Sequence, residues 1–179
     1  MIVMPRTLDT ARLHLRPPVA ADAPAVFDYA GDARVTRFLD WATHLDLDDS
    51  RGFIDDVHWG WESGDDFCWV LIDRASDALV GTVGCQFDAH GAQFGYVLAH
   101  DAWGRGLATE AMAAVFDAAR DIDDVARFWA TCDVDNRASA RVLEKLGMRE
   151  EGVLRRWSER PNHPGASGPR DVRVFAWVR

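Results

Sequence analysis

Arg12-Leu13-His14-Leu15-Arg16 alternates polar and apolar residues, the period of a strand with one buried face, and Pro17 and Pro18 end it. Val26, Phe27 and Ala30 then fall at helical spacing ahead of Gly31, which predicts a helix over 20–30. A short helical piece follows around Val35 to Leu39. Phe53, Ile54, Val57 and Trp61 recur every three or four residues, a longer helix capped by Asp46 or Asp48 and stopped by Gly64. The period then changes. Phe67 to Ile72 is a continuous apolar run, as in a buried strand, and Leu79 to Phe87 is a second strand after a turn at Ser76-Asp77. His90-Gly91 reads as a hairpin turn into Gln93 to Leu98. Leu107, Ala108, Ala111, Val115 and Ala118 share one helical face. Phe128 to Cys132 is a strand, Asn136 caps a helix that Gly147 stops, and Val172 to Val178 is a last strand. The stretch 156–170 holds three prolines and two glycines and reads as an exposed loop. Strands and helices in this order predict an α/β (α+β) domain, a mixed sheet flanked by helices. With no repeat and no interior linker, residues 1–179 read as one domain.

The chemistry concentrates in Trp103-Gly104-Arg105-Gly106-Leu107-Ala108-Thr109-Glu110, between a strand and a helix. Small residues at such a junction leave backbone N–H groups free to meet an anion, and the helix dipole assists. A phosphate-binding P-loop needs Gly-Lys-Ser/Thr here, and the lysine is absent. A dinucleotide fingerprint needs a third small residue where Thr109 stands.

Four blocks resemble the Gcn5-related N-acetyltransferases, in the branch that acetylates ribosomal-protein N-termini. The first is Trp103 to Glu110, similar to Tyr-Trp-Gly-Lys-Gly-Tyr-Ala-Thr-Glu-Ala. The second, Asn136-Arg137-Ala138-Ser139-Ala140-Arg141-Val142-Leu143-Glu144-Lys145-Leu146-Gly147-Met148, resembles Asn-x-x-Ser-x-x-Val-Leu-Glu-Lys-x-Gly-Phe. The third is Thr10 to Pro17. The fourth is Glu151 to Arg156 with Arg170-Asp171-Val172, similar to a closing hairpin. The resemblance implies a mostly antiparallel central sheet with splayed central strands.

It also implies acetyl-coenzyme A as cosubstrate. Tyr96, Val97 and Leu98 would lie along the pantetheine arm, with the Leu98 N–H nearest the oxyanion. Trp103, Gly104, Arg105, Gly106, Leu107, Ala108 and Thr109 would hold the pyrophosphate. Asn136, Ser139 and Arg141 would add contacts. Many relatives protonate the leaving thiolate with a tyrosine where this chain has Leu143; Ser139 matches the serine of the ribosomal-protein branch. Gln93 stands where that branch often has glutamate and cannot take a proton. Candidates for the base are then His90, His100, Asp133, Asp135, Glu150 and Glu151. Trp41, Trp59 and Gln93 would border the acceptor.

Composition narrows the partners. A formal net charge of −9 disfavours nucleic acid and suits a cationic amine such as a basic peptide antibiotic, an aminoglycoside or a polyamine. A protein N-terminus is the alternative acceptor, and a non-catalytic acyl-coenzyme A sensor the alternative function. Cys68, Cys85 and Cys132 lack metal-ligand spacing, so no metal is expected and free buried thiols are. Neither a membrane span nor a signal peptide is legible, which predicts a cytoplasmic protein; the family resemblance implies a monomer or homodimer.

Overall fold

Eight strands form one sheet in the order β1-β2-β3-β4-β5-β6-β8-β7 in the computed structural model, which describes residues 2–165 and 167–179. β1 (Leu8–Asp9), β2 (Leu13–Arg16), β3 (Asp66–Asp73), β4 (Ala78–Asp88) and β5 (Gly91–Leu98) are successive antiparallel neighbours. β6 (Arg127–Asp133) is parallel to β5, and β8 (Arg170–Val178) and β7 (Arg149–Ser158) continue antiparallel beyond it. The sheet is therefore mixed and mostly antiparallel, as expected.

The helices are α1 (Ala23–Ala30), α2 (Ala33–Thr36), α3 (Leu47–Ser63), α4 (Leu107–Arg120) and α5 (Arg137–Lys145). Asp46 caps α3 by accepting from the N–H groups of Asp48 and Asp49, and Gly64 closes it in the left-handed conformation. α2 starts and ends earlier than the hydrophobic spacing suggested, because Asp32 caps it through the Arg34 N–H. No helix among the described residues is long and apolar enough to cross a membrane.

α4 buries Leu107, Ala111, Met112, Val115 and Ala119 against Phe94, Phe128 and Phe175 of the sheet. Burying the leucine, methionine and valine contributes roughly 1.5–3 kcal/mol each. α1 covers the opposite face, where Val26 and Tyr29 pack with Leu79 and Val97. α3 lies against β3: Trp61 meets Phe67 and Trp69 edge-on and donates to the Cys68 carbonyl at 3.0 Å.

Two features open the middle of the sheet. β5 and β6 are paired only at Ala92–Phe128 and Gln93–Trp129, and beyond Gln93 they separate. The β3–β4 register shifts at Leu71/Ile72, which leaves Val80 as a bulge residue beside Gly81. A Cβ on Gly81 would sit 2.1 Å from the Val97 carbonyl oxygen, so only glycine lets β4 approach β5 here.

Candidate active site

The gap between β5 and β6 is lined by backbone. Ala99 N–H donates to Val80 O, which fixes the hydrogen-bonded phase of the β4–β5 ladder. Alternation then turns the peptide groups of Val97 and Gly95 toward β4. Those of Tyr96 and Leu98 face the gap. The Leu98 carbonyl is already taken by the Trp103 indole N–H at 2.9 Å, which leaves its N–H as the free group.

At the open end of the gap, Gly104 and Gly106 adopt φ of +72° and +78°, a conformation that side chains rarely take. Among the described residues, none of the N–H groups from Gly104 to Thr109 has a hydrogen-bond partner; the first helical bond is Glu110 N–H to Gly106 O. A row of unpartnered donors at a helix start fits a pyrophosphate.

The loop is held from below. Arg12 Nη1 donates to the Arg105 carbonyl at 2.7 Å, and its Nε donates to Glu110 at 2.6 Å. Glu110 also accepts from Thr10 Oγ1 and the Arg12 N–H. In a trans peptide the C=O and the following N–H point opposite ways. Drawing the Arg105 carbonyl toward Arg12 therefore turns the Gly106 N–H outward. Arg12→Ala is expected to weaken acetyl-coenzyme A binding about tenfold while leaving kcat near wild type, read by titration calorimetry beside steady-state kinetics. The family resemblance placed Arg105 among the residues that would hold the pyrophosphate. Instead its Nη2 lies 2.6 Å from Asp73 Oδ2. The Ala75 N–H and Arg105 hold that carboxyl below the usual range. Arg105 thus braces the loop with its side chain and offers the site its backbone.

α5 forms the far wall. The Asn136 side chain accepts from the Ser139 N–H at 3.1 Å, a cap that fixes the first turn. Ser139 is half-buried and faces Tyr96: burial raises the Tyr96 hydroxyl's pKa, and Ser139 partly offsets this. Their contact is looser than a formed hydrogen bond. Leu143 is buried core and Arg141 is exposed.

Across the sheet from α4, two segments close over the strand ends. Asn162 in the β7–β8 loop uses its whole amide: Oδ1 accepts from Thr43 N–H and Oγ1, and Nδ2 donates to Thr36 O and Trp41 O. This ties the loop to the stretch between α2 and α3. Trp41 packs there beside the Val26–Tyr29 cluster, with Val97 on the same cluster. Gln93 sits at the closed end of the gap, in its last β5–β6 pair.

Trp59 is 71% exposed on α3. The acid-rich start of α3 serves caps and a surface pair: Asp46 and Asp49 accept backbone N–H groups, and Asp48 pairs with Arg51. Asp133 is no base. Burial raises its pKa, but Arg170 Nε at 2.6 Å and Nη2 at 3.0 Å more than reverse this, and Arg170 also takes Asp135. Glu151 is held by Arg127, and Glu150 lies 3.6 Å from Arg173. His90 is exposed in the β4–β5 turn, far along β5 from the cradle, and His100 packs on Trp103. His163, within 4.8 Å of the Asp133 and Asp135 carboxylates, is a group that sequence reading passed over in a proline- and glycine-rich loop.

Residues 12–149 match the family model described as an acetyltransferase (GNAT) domain. The chain is 28% identical over 175 residues to the uncharacterized N-acetyltransferase YoaA of Bacillus subtilis, covering 96% of each chain. The solved structure of a GNAT-family acetyltransferase from Bacillus anthracis is similar at 25% identity and a TM-score of 0.81, covering 96% of this chain and 98% of that one. The RimL ribosomal L7/L12 α-N-protein acetyltransferase, solved with coenzyme A, superposes with a TM-score of 0.82 at 19% identity, over 98% and 97% of the chains.

Proposed function

The chain belongs to the GNAT acetyltransferase family and is an acetyl-coenzyme A-dependent N-acetyltransferase; we propose that it transfers the acetyl group to a primary amine by direct attack within the β5–β6 gap. The observation that carries this reading is the gap itself, its edge of outward-facing β5 peptide groups continuing into the free N–H row at the start of α4. The diphosphate lies on the N–H groups of Gly104 to Thr109, with Arg141 an exposed cation on α5. The pantetheine amides pair with the β5 edge at Tyr96 and Leu98. That the similar RimL structure was solved with coenzyme A supports coenzyme A as the ligand.

The Leu98 N–H stabilises the negative charge that develops on the thioester oxygen. The acceptor enters from the opposite face, between Trp41 and the β7–β8 loop, with Gln93 at the floor. An alkylammonium must lose a proton before attack. With Asp133, Asp135 and Glu151 committed to arginines, that proton leaves through water. The excess of acidic groups over the chain raises the local concentration of ammonium ions.

Ser139 gives its proton to the departing thiolate and regains one from water. Ser139→Ala is expected to lower kcat by about 10- to 100-fold with the acetyl-coenzyme A dissociation constant within about twofold of wild type. Single-turnover rates beside equilibrium titrations measure the two quantities. An equal loss in both would make Ser139 a binding residue instead.

A further inference from the structure

Arg160 is the most buried arginine of the acceptor side and the least compensated. It is 5% exposed. Its Nε has neither a hydrogen-bond partner nor contact with solvent. Nη1 lies 3.4 Å from its neighbour's carbonyl, Glu159 O, and 3.6 Å from Asp40 Oδ2, on a side chain that is 66% exposed. The Asp40 separation is too long for a hydrogen bond. Nη2 has no partner among the described residues. The two other inward-facing arginines are treated differently. Arg16 makes paired bonds to Asp22 at 2.7 and 2.8 Å, and Arg170 makes paired bonds to Asp133. A guanidinium removed from water is retained against its desolvation cost only when an anion meets it. For Arg160 the chain offers only Asp40, 3.6 Å away and largely in water.

The position of Arg160 says where the anion comes from. The His163 N–H donates to Arg160 O at 3.0 Å, and Asn162 between them is clamped to Thr36, Trp41 and Thr43. His163 Nδ1 is 3.0 Å from Pro164 O, while its Nε2 is buried and unpartnered like Arg160 Nε. The carboxylate of Asp133, at the end of β6, is close to this histidine. The loop therefore sits over the open end of the β5–β6 gap, on the face opposite the phosphate cradle.

We propose that Arg160 receives an anionic oxygen group, a carboxylate or a phosphate, carried by the amine acceptor itself. This rests on the acetyl-transfer reading and narrows its substrate class. The acceptor is a zwitterion, its amine in the gap and its anion on the two terminal Nη groups of Arg160, which can meet its oxygens with two parallel N–H bonds. Purely cationic acceptors such as polyamines leave Arg160 unmatched.

The test follows coenzyme A thiol release from acetyl-coenzyme A with matched acceptors: L-amino acids against their amides, and O-phosphoethanolamine against ethanolamine. The wild type is expected to favour the anionic member of a pair by at least about tenfold in kcat/KM. In Arg160→Gln that ratio falls toward one while the melting temperature holds or rises, since a buried uncompensated charge has been removed. A preference confined to the phosphorylated pair supports the site and assigns it to phosphate. Amides or ethanolamine working as well as their anionic partners in the wild type would overturn the assignment, as would an unchanged ratio in the variant. If every amine is silent while acetyl-coenzyme A still binds, the transfer reading falls and this one with it.

Discussion

Gly106→Glu is expected to weaken acetyl-coenzyme A binding by at least about 100-fold, two factors of ten at about 1.4 kcal/mol each. Space is not the obstacle, because a Cβ on Gly106 would meet only Arg12 Nη2, at 3.6 Å. The backbone is one obstacle: φ is +78°, and a non-glycine residue held there costs about 1–2 kcal/mol. The other is charge, since the new carboxylate competes with the diphosphate for N–H groups that are unpartnered from Gly104 to Thr109. Gly106→Ala carries the strain alone and is expected to lose about tenfold. The difference between the two variants, read by calorimetric titration, isolates the electrostatic part. Near-normal binding by Gly106→Glu would mean the phosphates lie elsewhere.

Arg170→Ala is expected to cost about 3–5 kcal/mol of stability, the range for stripping one partner from a buried ion pair. For a chain of this size that is a fall of roughly 6–20 °C in melting temperature. Asp133 has a side chain with no exposure, and Arg170 meets both its oxygens. The loss has a pH signature. In the native protein the Asp133 pKa lies below its ordinary value. Its contribution is therefore complete above the unfolded-state pKa of about 4 and fades as pH falls through the lower folded value. In Arg170→Ala the buried carboxyl keeps only the Asp135 N–H, so its pKa moves up and its penalty grows as pH rises. The gap between wild type and variant should thus narrow toward about pH 4. Thermal melts across that range measure it; a gap independent of pH would place the damage in packing.

Where one face of an element is buried and the other wet, the chain reads easily. α3 and α4 carry clean helical stripes, and the Asp46 and Asn136 caps lie at the boundaries they predict. β7 shows why the rest does not. Nearly every one of its residues is exposed, so no alternation marks it as a strand; pairing with β8 alone makes it one. β1 has two residues and no pattern to offer. The glycine turn ahead of α4 was legible because glycine and helix start are local features. The partner of Arg105 was not, since Asp73 comes from a distant strand. Trp59 illustrates a further limit: an aromatic in an amphipathic helix has no fixed side until the helix docks, and this one faces water. Arg160 and His163 lie in a loop without periodicity, and their burial comes from a clamp formed by Asn162 more than a hundred residues along the chain from Thr36 and Trp41.

The central claim is acetyl transfer to an amine in the β5–β6 gap, and amine-dependent release of the coenzyme A thiol tests it most directly. Acetyl-coenzyme A is incubated with the protein, with and without a panel of amino acids, peptides with free N-termini, polyamines and aminoglycosides. The account predicts release above the no-amine rate for at least one class, with an N-acetylated product in equal amount and both lost in Gly106→Glu. Release that is indifferent to every amine, or that persists undiminished in Gly106→Glu, would contradict it.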